Sequence, residues 1–290
     1  MLAVTFRHSS DTTFHIMKIT FIGGGNMAAA LIGGLKKQGF SVAGIQVVEP
    51  FVEARERLTQ QFGVRCTGTP DASALACEVI VLAVKPQVLR EAVAPLAGHL
   101  SAQLVVSIAA GLRMADISRW LGGHRRLVRA MPNTPALISA GTSGVVADAS
   151  VDAASRETAE RILRAVGSVV WFDDEAAMDA VTAISGSGPA YVFYFIEAIE
   201  AAALNLGFDA AAARQLTIET FIGAARLAEQ SREPVSLLRE RVTSKGGTTE
   251  AALLSFGHDG VAAAIERGVM AAAARGRALG DQLGRDGGER

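Results

Sequence analysis

Residues 19–28 of this 290-residue chain read I-T-F-I-G-G-G-N-M-A: a short apolar run, three glycines and the start of a helical pattern. Gly23, Gly25 and Ala28 stand at the spacing G-x-G-x-x-A. In that arrangement the first glycine makes a tight turn, and the second lets the backbone approach a pyrophosphate. The small third residue lets helix and strand pack closely, and phosphate sits on free N–H groups at the helix N-terminus. Alone the motif says little. Here it follows a strand and opens a helix with Met27, Leu31, Ile32 and Leu35 on one side. Glu49 then closes a second apolar run, Ile45–Glu49, roughly twenty positions further on, as a ribose-binding acid should. The combination points to an NAD(P)-binding α/β unit; a glycine turn kept only for packing is the alternative. Glu49 can accept from a ribose 2′-OH, which suits NAD. Arg55 and Arg57 can supply cations to NADP, or can simply form a solvated helix face.

The same texture continues to about residue 172. Val79–Val84 (VIVLAV) is apolar throughout, as a strand buried on both faces of a parallel sheet must be. Leu104–Ile108 and Leu127–Ala130 repeat the pattern, and Phe51–Gln61 reads as a charged helix. Strands alternating with helices predict a doubly wound parallel sheet. After Trp171 the chain turns Ala-rich, and the candidate helices are Met178–Ile184, Pro189–Leu206, Ala210–Glu229, Pro234–Val242, Thr249–Phe256 and Gly260–Leu279. The expected division is an extension, 1–16, without stable structure; a dinucleotide-binding domain, 17–173; an all-helical domain, 174–281; and a frayed tail, 282–290. The extension has no apolar core or small-residue cleavage site of the kind a signal peptide needs.

Composition excludes several classes. Half the residues are apolar and net charge is -1, so there is no electrostatic footprint for nucleic acid or an anionic membrane. No apolar run is long enough to span a bilayer. Two cysteines, Cys66 and Cys77, cannot build a disulfide framework, so a reducing compartment, the cytoplasm, is expected. His8, His15, His99, His124 and His258 lack metal-ligand spacing, and no metal site is assigned.

Three further segments fall at the carboxyl ends of predicted strands, where open α/β sheets bind ligands. They are Ala83-Val84-Lys85-Pro86, Ser107-Ile108-Ala109-Ala110-Gly111 and Met131-Pro132-Asn133-Thr134-Pro135. Each by itself reads equally as a capped loop. In the second half, Ser185-Gly186-Ser187-Gly188-Pro189-Ala190-Tyr191 is a turn running into a helix. Val242-Thr243-Ser244-Lys245-Gly246-Gly247-Thr248-Thr249-Glu250-Ala251 groups hydroxyls, a lysine and a glycine pair before another. Free N–H groups at such a helix start suit a carboxylate; a threonine cap with flexible glycines is the alternative.

Taken in this order, G-G-G-N-M-A, A-V-K-P, M-P-N-T-P, S-G-S-G-P-A-Y and V-T-S-K-G-G-T-T-E-A-A closely resemble the pyrroline-5-carboxylate reductase family, from Met17 to about Leu279. Gly246–Glu250 is the most diagnostic stretch. The departures are the first 16 residues and the acidic Glu49, where NADPH-preferring members often carry a hydroxyl or a nearby arginine. The resemblance implies a Rossmann-like N-terminal sheet and an all-α C-terminal dimerisation domain. It implies reduction of L-1-pyrroline-5-carboxylate to L-proline by NADPH or NADH, leaning to NADPH, in a homodimer or a higher homo-oligomer, with a decamer among the options. It assigns dinucleotide contacts to Ile22, Gly23, Gly24, Gly25, Asn26, Met27, Ala28, Glu49, Ala83, Val84, Lys85, Pro86, Ile108, Ala109 and Ala110, with Asn133 toward the nicotinamide. Ser244, with the backbone around Gly247 and Thr248, would hold the substrate carboxylate. The Thr249 hydroxyl would bond the ring nitrogen as the catalytic contact.

The chemistry suits the inventory. Reducing a ketone makes an alkoxide that needs a proton donor, commonly His or Lys. Reducing an iminium gives a neutral amine that takes a proton from solvent. After Met131 the chain holds one lysine, Lys245, and one histidine, His258. A hydroxyacid dehydrogenase of the same layout would need such a residue in the first long helix of the second half, and Asp173–Leu206 has none. A dinucleotide-binding sensor without catalysis is the third reading. The Ala-rich second half buries little area per helix, so shared packing between subunits is expected.

Overall fold

The computed structural model describes residues 17–285; the expectations for residues 1–16 and for the end of the tail lie outside them. The strands are β1 Ile19–Ile22, β2 Ile45–Val48, β3 Arg65–Thr67, β4 Val79–Leu82, β5 Leu104–Ser107, β6 Leu127–Pro132, β7 Gly141–Ala147 and β8 Gly167–Trp171. Among them run helices α1 Asn26–Lys37, α2 Val52–Phe62, α3 Ala72–Leu75, α4 Pro86–Val93, α5 Met114–Trp120 and α6 Ala153–Arg164. Then follow α7 Ala177–Val181, α8 Gly188–Asn205, α9 Ala210–Gln230, α10 Val235–Arg241, α11 Thr248–His258 and α12 Val261–Gly284.

The strands form one sheet in the order β3-β2-β1-β4-β5-β6-β7-β8. Side-chain alternation explains why its central strands are apolar throughout. Val79 and Val81 of β4 join Phe21, Leu31 and Leu163 in the core layer on one face. Ile80 and Leu82 join Leu89, Ile117 and Leu121 on the other. Each such side chain stabilises the fold by roughly 1.5–3 kcal/mol when fully buried.

The alternation of elements predicts a doubly wound parallel sheet, and the observed sheet is mostly parallel. β1 to β6 are parallel, but β7 pairs antiparallel with β6, and β8 follows β7's direction. The connection from β6 to β7 holds only a short turn around Thr134–Ile138, and a parallel crossover needs a dozen residues or more. β1's two neighbours, β2 and β4, leave on opposite sides. The strand order therefore switches between β1 and β4, where doubly wound sheets bind ligands.

The helical half is anchored to the sheet at two places. Buried Arg129 on β6 donates to Glu175 Oε1 at 2.9 Å and lies 3.8 Å from Asp179. Glu175 also accepts the Met114 N–H at 2.8 Å. Further on, α12 buries the small residues Ala273, Gly276 and Gly280, and its end docks on α5 through Arg113–Asp281 and an Arg119 bond to the Gly284 carbonyl at 2.7 Å. Residues 282–284 are thus helical, not part of a frayed tail, because α5 holds the last turn.

Beyond these anchors the helices are open. Helix α8 (GPAYVFYFIEAIEAAALN) buries none of its residues, and Phe193 and Tyr194 are 64% and 70% exposed. Tyr191, Tyr194, Phe195, Ile199, Phe256 and Ile265 line an apolar groove of about 850 Å³. An apolar face of that extent marks an interaction surface. No helix among the described residues is long and apolar enough to cross a membrane.

Candidate functional site

The turn between β1 and α1 is shaped by its neighbours. Gly23 has φ +100° and donates to the Val48 carbonyl at 2.8 Å; a Cβ there would stand 2.8 Å from the Ala83 carbonyl oxygen. Only glycine meets both demands. Gly24 donates to Glu49 Oε2 at 2.8 Å. Gly25 caps α1 with extended backbone, no side chain bonds to the cap, and nothing lies within 4 Å of the position a Cβ would take. The first N–H groups of α1 therefore face open space, as a pyrophosphate site requires. Ala28 is fully buried beneath them.

Hydrogen bonds align the other predicted dinucleotide segments beside this turn. The Ala83 N–H donates to the Ile22 carbonyl at 2.8 Å, and the Ile108 N–H to the Leu82 carbonyl at 3.1 Å. The carboxyl ends of β2, β1, β4 and β5 thus stand in a row, bringing Ile22–Ala28, Glu49, Ala83–Pro86 and Ile108–Ala110 to one sheet edge. Lys85 is exposed and precedes α4, with Pro86 in the first turn where its missing N–H costs nothing.

Glu49 is buried, 7% exposed, with both oxygens engaged: Oε2 by Gly24 and Oε1 by the Phe51 N–H at 3.0 Å. Arg55 reaches the same corner, donating through Nη1 to the Glu49 and Pro50 carbonyls at 2.8 and 2.7 Å. Arg57 instead lines a separate cleft of about 390 Å³ with Lys37 and Leu137. Cys77, also half-buried, donates to the Ala74 carbonyl, and burial pushes its thiol pKa up, away from nucleophilic use. Its place is structural.

Asn133 sits at the turn between β6 and β7. Its Oδ1 accepts the Thr142 N–H at 2.9 Å and its Nδ2 donates to Ser185 Oγ at 3.2 Å. The side chain ties the β6–β7 turn to the S-G-S-G-P segment, which runs through a π-helical turn, Thr182–Gly186, before α8. Ser187 N–H closes that turn on the Thr182 carbonyl at 2.8 Å, and Tyr191 Oη donates to the Ala183 carbonyl at 3.0 Å. π-Turns concentrate at functional sites. The Asn133–Ser185 pair has no local signal in the sequence, its members being far apart in the chain.

The second glycine turn lies before α11. Gly246 takes φ +72°, Gly247 N–H donates to the Ser244 carbonyl at 3.0 Å, and Gly246 N–H donates to Glu250 Oε2 at 2.6 Å. Helix α11 starts at Thr248 with Gly247 as cap and no side-chain cap bond. Its first N–H groups therefore carry no side-chain cap, as an anion site would require. Ser244 and Thr248 are exposed and Thr249 is half-buried. Among the described residues no hydrogen bond or ion pair joins this turn to Gly23–Ala28.

Residues 175–279 match the family model described as pyrroline-5-carboxylate reductase dimerisation. Residues 18–111 match one described as NADP oxidoreductase, coenzyme F420-dependent. A pyrroline-5-carboxylate reductase of Pseudomonas aeruginosa is 46% identical over 268 residues, covering 92% of this chain and 98% of that protein. The solved pyrroline-5-carboxylate reductase of Coxiella burnetii superposes with TM-score 0.86 at 38% identity, over 94% of this chain and 100% of the other. The Plasmodium falciparum pyrroline carboxylate reductase, solved with NADP bound, gives 0.82 at 27% identity, over 91% and 98%.

Proposed function

The chain belongs to the pyrroline-5-carboxylate reductase family, and from that membership we propose that it reduces L-1-pyrroline-5-carboxylate to L-proline. It is an NAD(P)H-dependent oxidoreductase and a homo-oligomer, the dimerisation region covering most of its helical half. The observation that carries the reading is the open N-terminus of α1 beside Glu49, in line with the ends of β4 and β5.

The described residues fit the dinucleotide. Gly23–Asn26 would hold the pyrophosphate on backbone N–H groups, and Glu49 the adenine-side ribose. Ala83–Pro86 and Ile108–Ala110 would flank the nicotinamide half, their small residues leaving room for a flat ring. NAD(P)H, when bound, supplies the hydride. Because Glu49 is buried and already bonded, it stays where a 2′-phosphate would have to sit, which favours NADH over the NADPH toward which the family resemblance leans.

The second turn would hold the substrate. The uncapped N–H groups of Thr248 and Thr249 and the Ser244 hydroxyl suit a carboxylate. The Thr249 hydroxyl, one residue into α11, would bond the ring nitrogen and fix which face of the C=N bond is presented. Orienting two bound partners can lower a barrier by about 7–11 kcal/mol at best, and iminium reduction asks for no general acid. We assign residues 17–173 to dinucleotide binding and 174–281 to substrate binding and dimerisation. The 850 Å³ apolar groove is the proposed place for a second subunit's helices, and a small-molecule substrate fits the near-neutral charge balance.

The test follows loss of nicotinamide absorbance on adding pyrroline-5-carboxylate, with NADH and NADPH in separate reactions. Oxidation of either with proline formed is the expected result. Dinucleotide binding without oxidation would replace the reductase with a sensor.

A further inference from the structure

We propose that Glu250 is a positioning residue for the substrate, holding the Ser244–Gly247 turn in the shape that presents the N–H groups of α11. The inference rests on the reading of that turn as the carboxylate site. Two adjacent glycines give this segment wide conformational freedom, and Gly246 in particular sits at φ +72°. One bond, from the Gly247 N–H to the Ser244 carbonyl at 3.0 Å, closes the turn. The Gly246 N–H is taken by Glu250 Oε2 at 2.6 Å.

The geometry departs from an ordinary capping box, in which a glutamate three residues past the cap reaches back to the cap's own N–H. Gly247 is the cap and Glu250 is the third residue of the helix. Gly247's N–H is already used by Ser244, so Glu250 reaches one residue further back. The reciprocal half of the box is missing as well: Gly247 has no side chain to accept from the first turn. Glu250 therefore rigidifies the turn without consuming the helix's own N–H groups. Its charge, an awkward neighbour for a bound carboxylate, is directed to the Gly246 amide, and the half-buried side chain is held by that bond.

Glu250→Ala is expected to raise KM for pyrroline-5-carboxylate about tenfold and to speed hydrogen exchange at the Gly246 amide by a similar factor, the size of a lost helix cap, with kcat and the dinucleotide KM within about twofold of wild type. Glu250→Gln keeps an oxygen for Gly246 and is expected to restore both readouts. Unchanged KM and unchanged Gly246 exchange in Glu250→Ala would overturn the proposal. So would a Glu250→Gln enzyme as impaired as the alanine variant, since charge and not the bond would then matter. If wild-type enzyme fails to reduce pyrroline-5-carboxylate, the functional reading falls, and the exchange rates still decide whether Glu250 holds the turn.

Discussion

The Gly24 N–H donates to Glu49 Oε2 at 2.8 Å, so the glycine turn after β1 and the carboxylate after β2 form one rigid corner. Phe51 holds the other oxygen, leaving the carboxylate no freedom to swing aside. On the proposed reading a ribose 2′-OH would donate to this group, and a 2′-phosphate would be repelled by it.

Replacing Glu49 is therefore expected to change dinucleotide choice. In Glu49→Ser the ratio of kcat/KM for NADPH to that for NADH should rise roughly tenfold or more, as a fixed negative charge leaves the phosphate position and Arg55 remains. Steady-state kinetics with both dinucleotides measures it. An unmoved ratio would place Glu49 away from the ribose.

Thr249→Val keeps the shape of the side chain and removes its hydroxyl. Loss of one substrate hydrogen bond is expected to lower kcat/KM for the imine about tenfold, while the dinucleotide Kd, measured by fluorescence titration, stays unchanged. Wild-type turnover would take Thr249 out of the mechanism.

How much of this could be read from the residues depends on how local each signal is. The β1–α1 turn, Glu49 and the buried strands β4 and β5 were legible because glycine spacing and unbroken apolar runs are written in consecutive positions. The reversal at β7 was not: Gly141-Thr142-Ser143-Gly144 is too small and polar to read as a strand, and its direction follows from the shortness of the preceding turn. Nor was the use of Asn133. Its pairing with Ser185 exists only because β6 and the π-turn meet in space. Glu250 was visible as an acid in a first turn, but the Gly246 bond needed the backbone.

The joint between the halves also yields a stability test. Arg129 is buried, its side chain 4% exposed, and Glu175 is its nearer partner. Among the described residues, Glu175→Ala leaves that guanidinium with Asp179 at 3.8 Å as its carboxylate partner. Breaking a buried pair from one side costs about 3–5 kcal/mol; the lower end is expected here, because Glu175 is partly exposed. Denaturant unfolding of wild type and variant measures the difference. A loss within error would mean that Asp179 or water replaces Glu175 in full.

Acid stability should depend on Asp71, which caps α3. It accepts from the Ser73 hydroxyl at 2.7 Å and the Ala74 N–H at 2.8 Å, and pairs with Arg65. These bonds, the Ser73 one foremost, hold its carboxyl well below the ordinary 3.8. A depressed folded pKa means that the unfolded chain takes up its proton first as pH falls. The contribution is complete above about pH 4 and is lost as pH drops through the folded value. Asp71→Asn should therefore show a flatter fall in Tm on acidification, converging with wild type at the lowest pH. Parallel curves would show that Asp71 does not drive the acid limb.

The most direct measurement traces the hydride itself. Enzyme is incubated with pyrroline-5-carboxylate and NADH deuterated at the transferring position of the nicotinamide, and the proline is analysed by mass spectrometry and NMR. A single deuterium at the former C=N carbon is the expected result. Oxidation of the dinucleotide with no deuterium in proline, or no proline at all, would contradict direct transfer between the two sites.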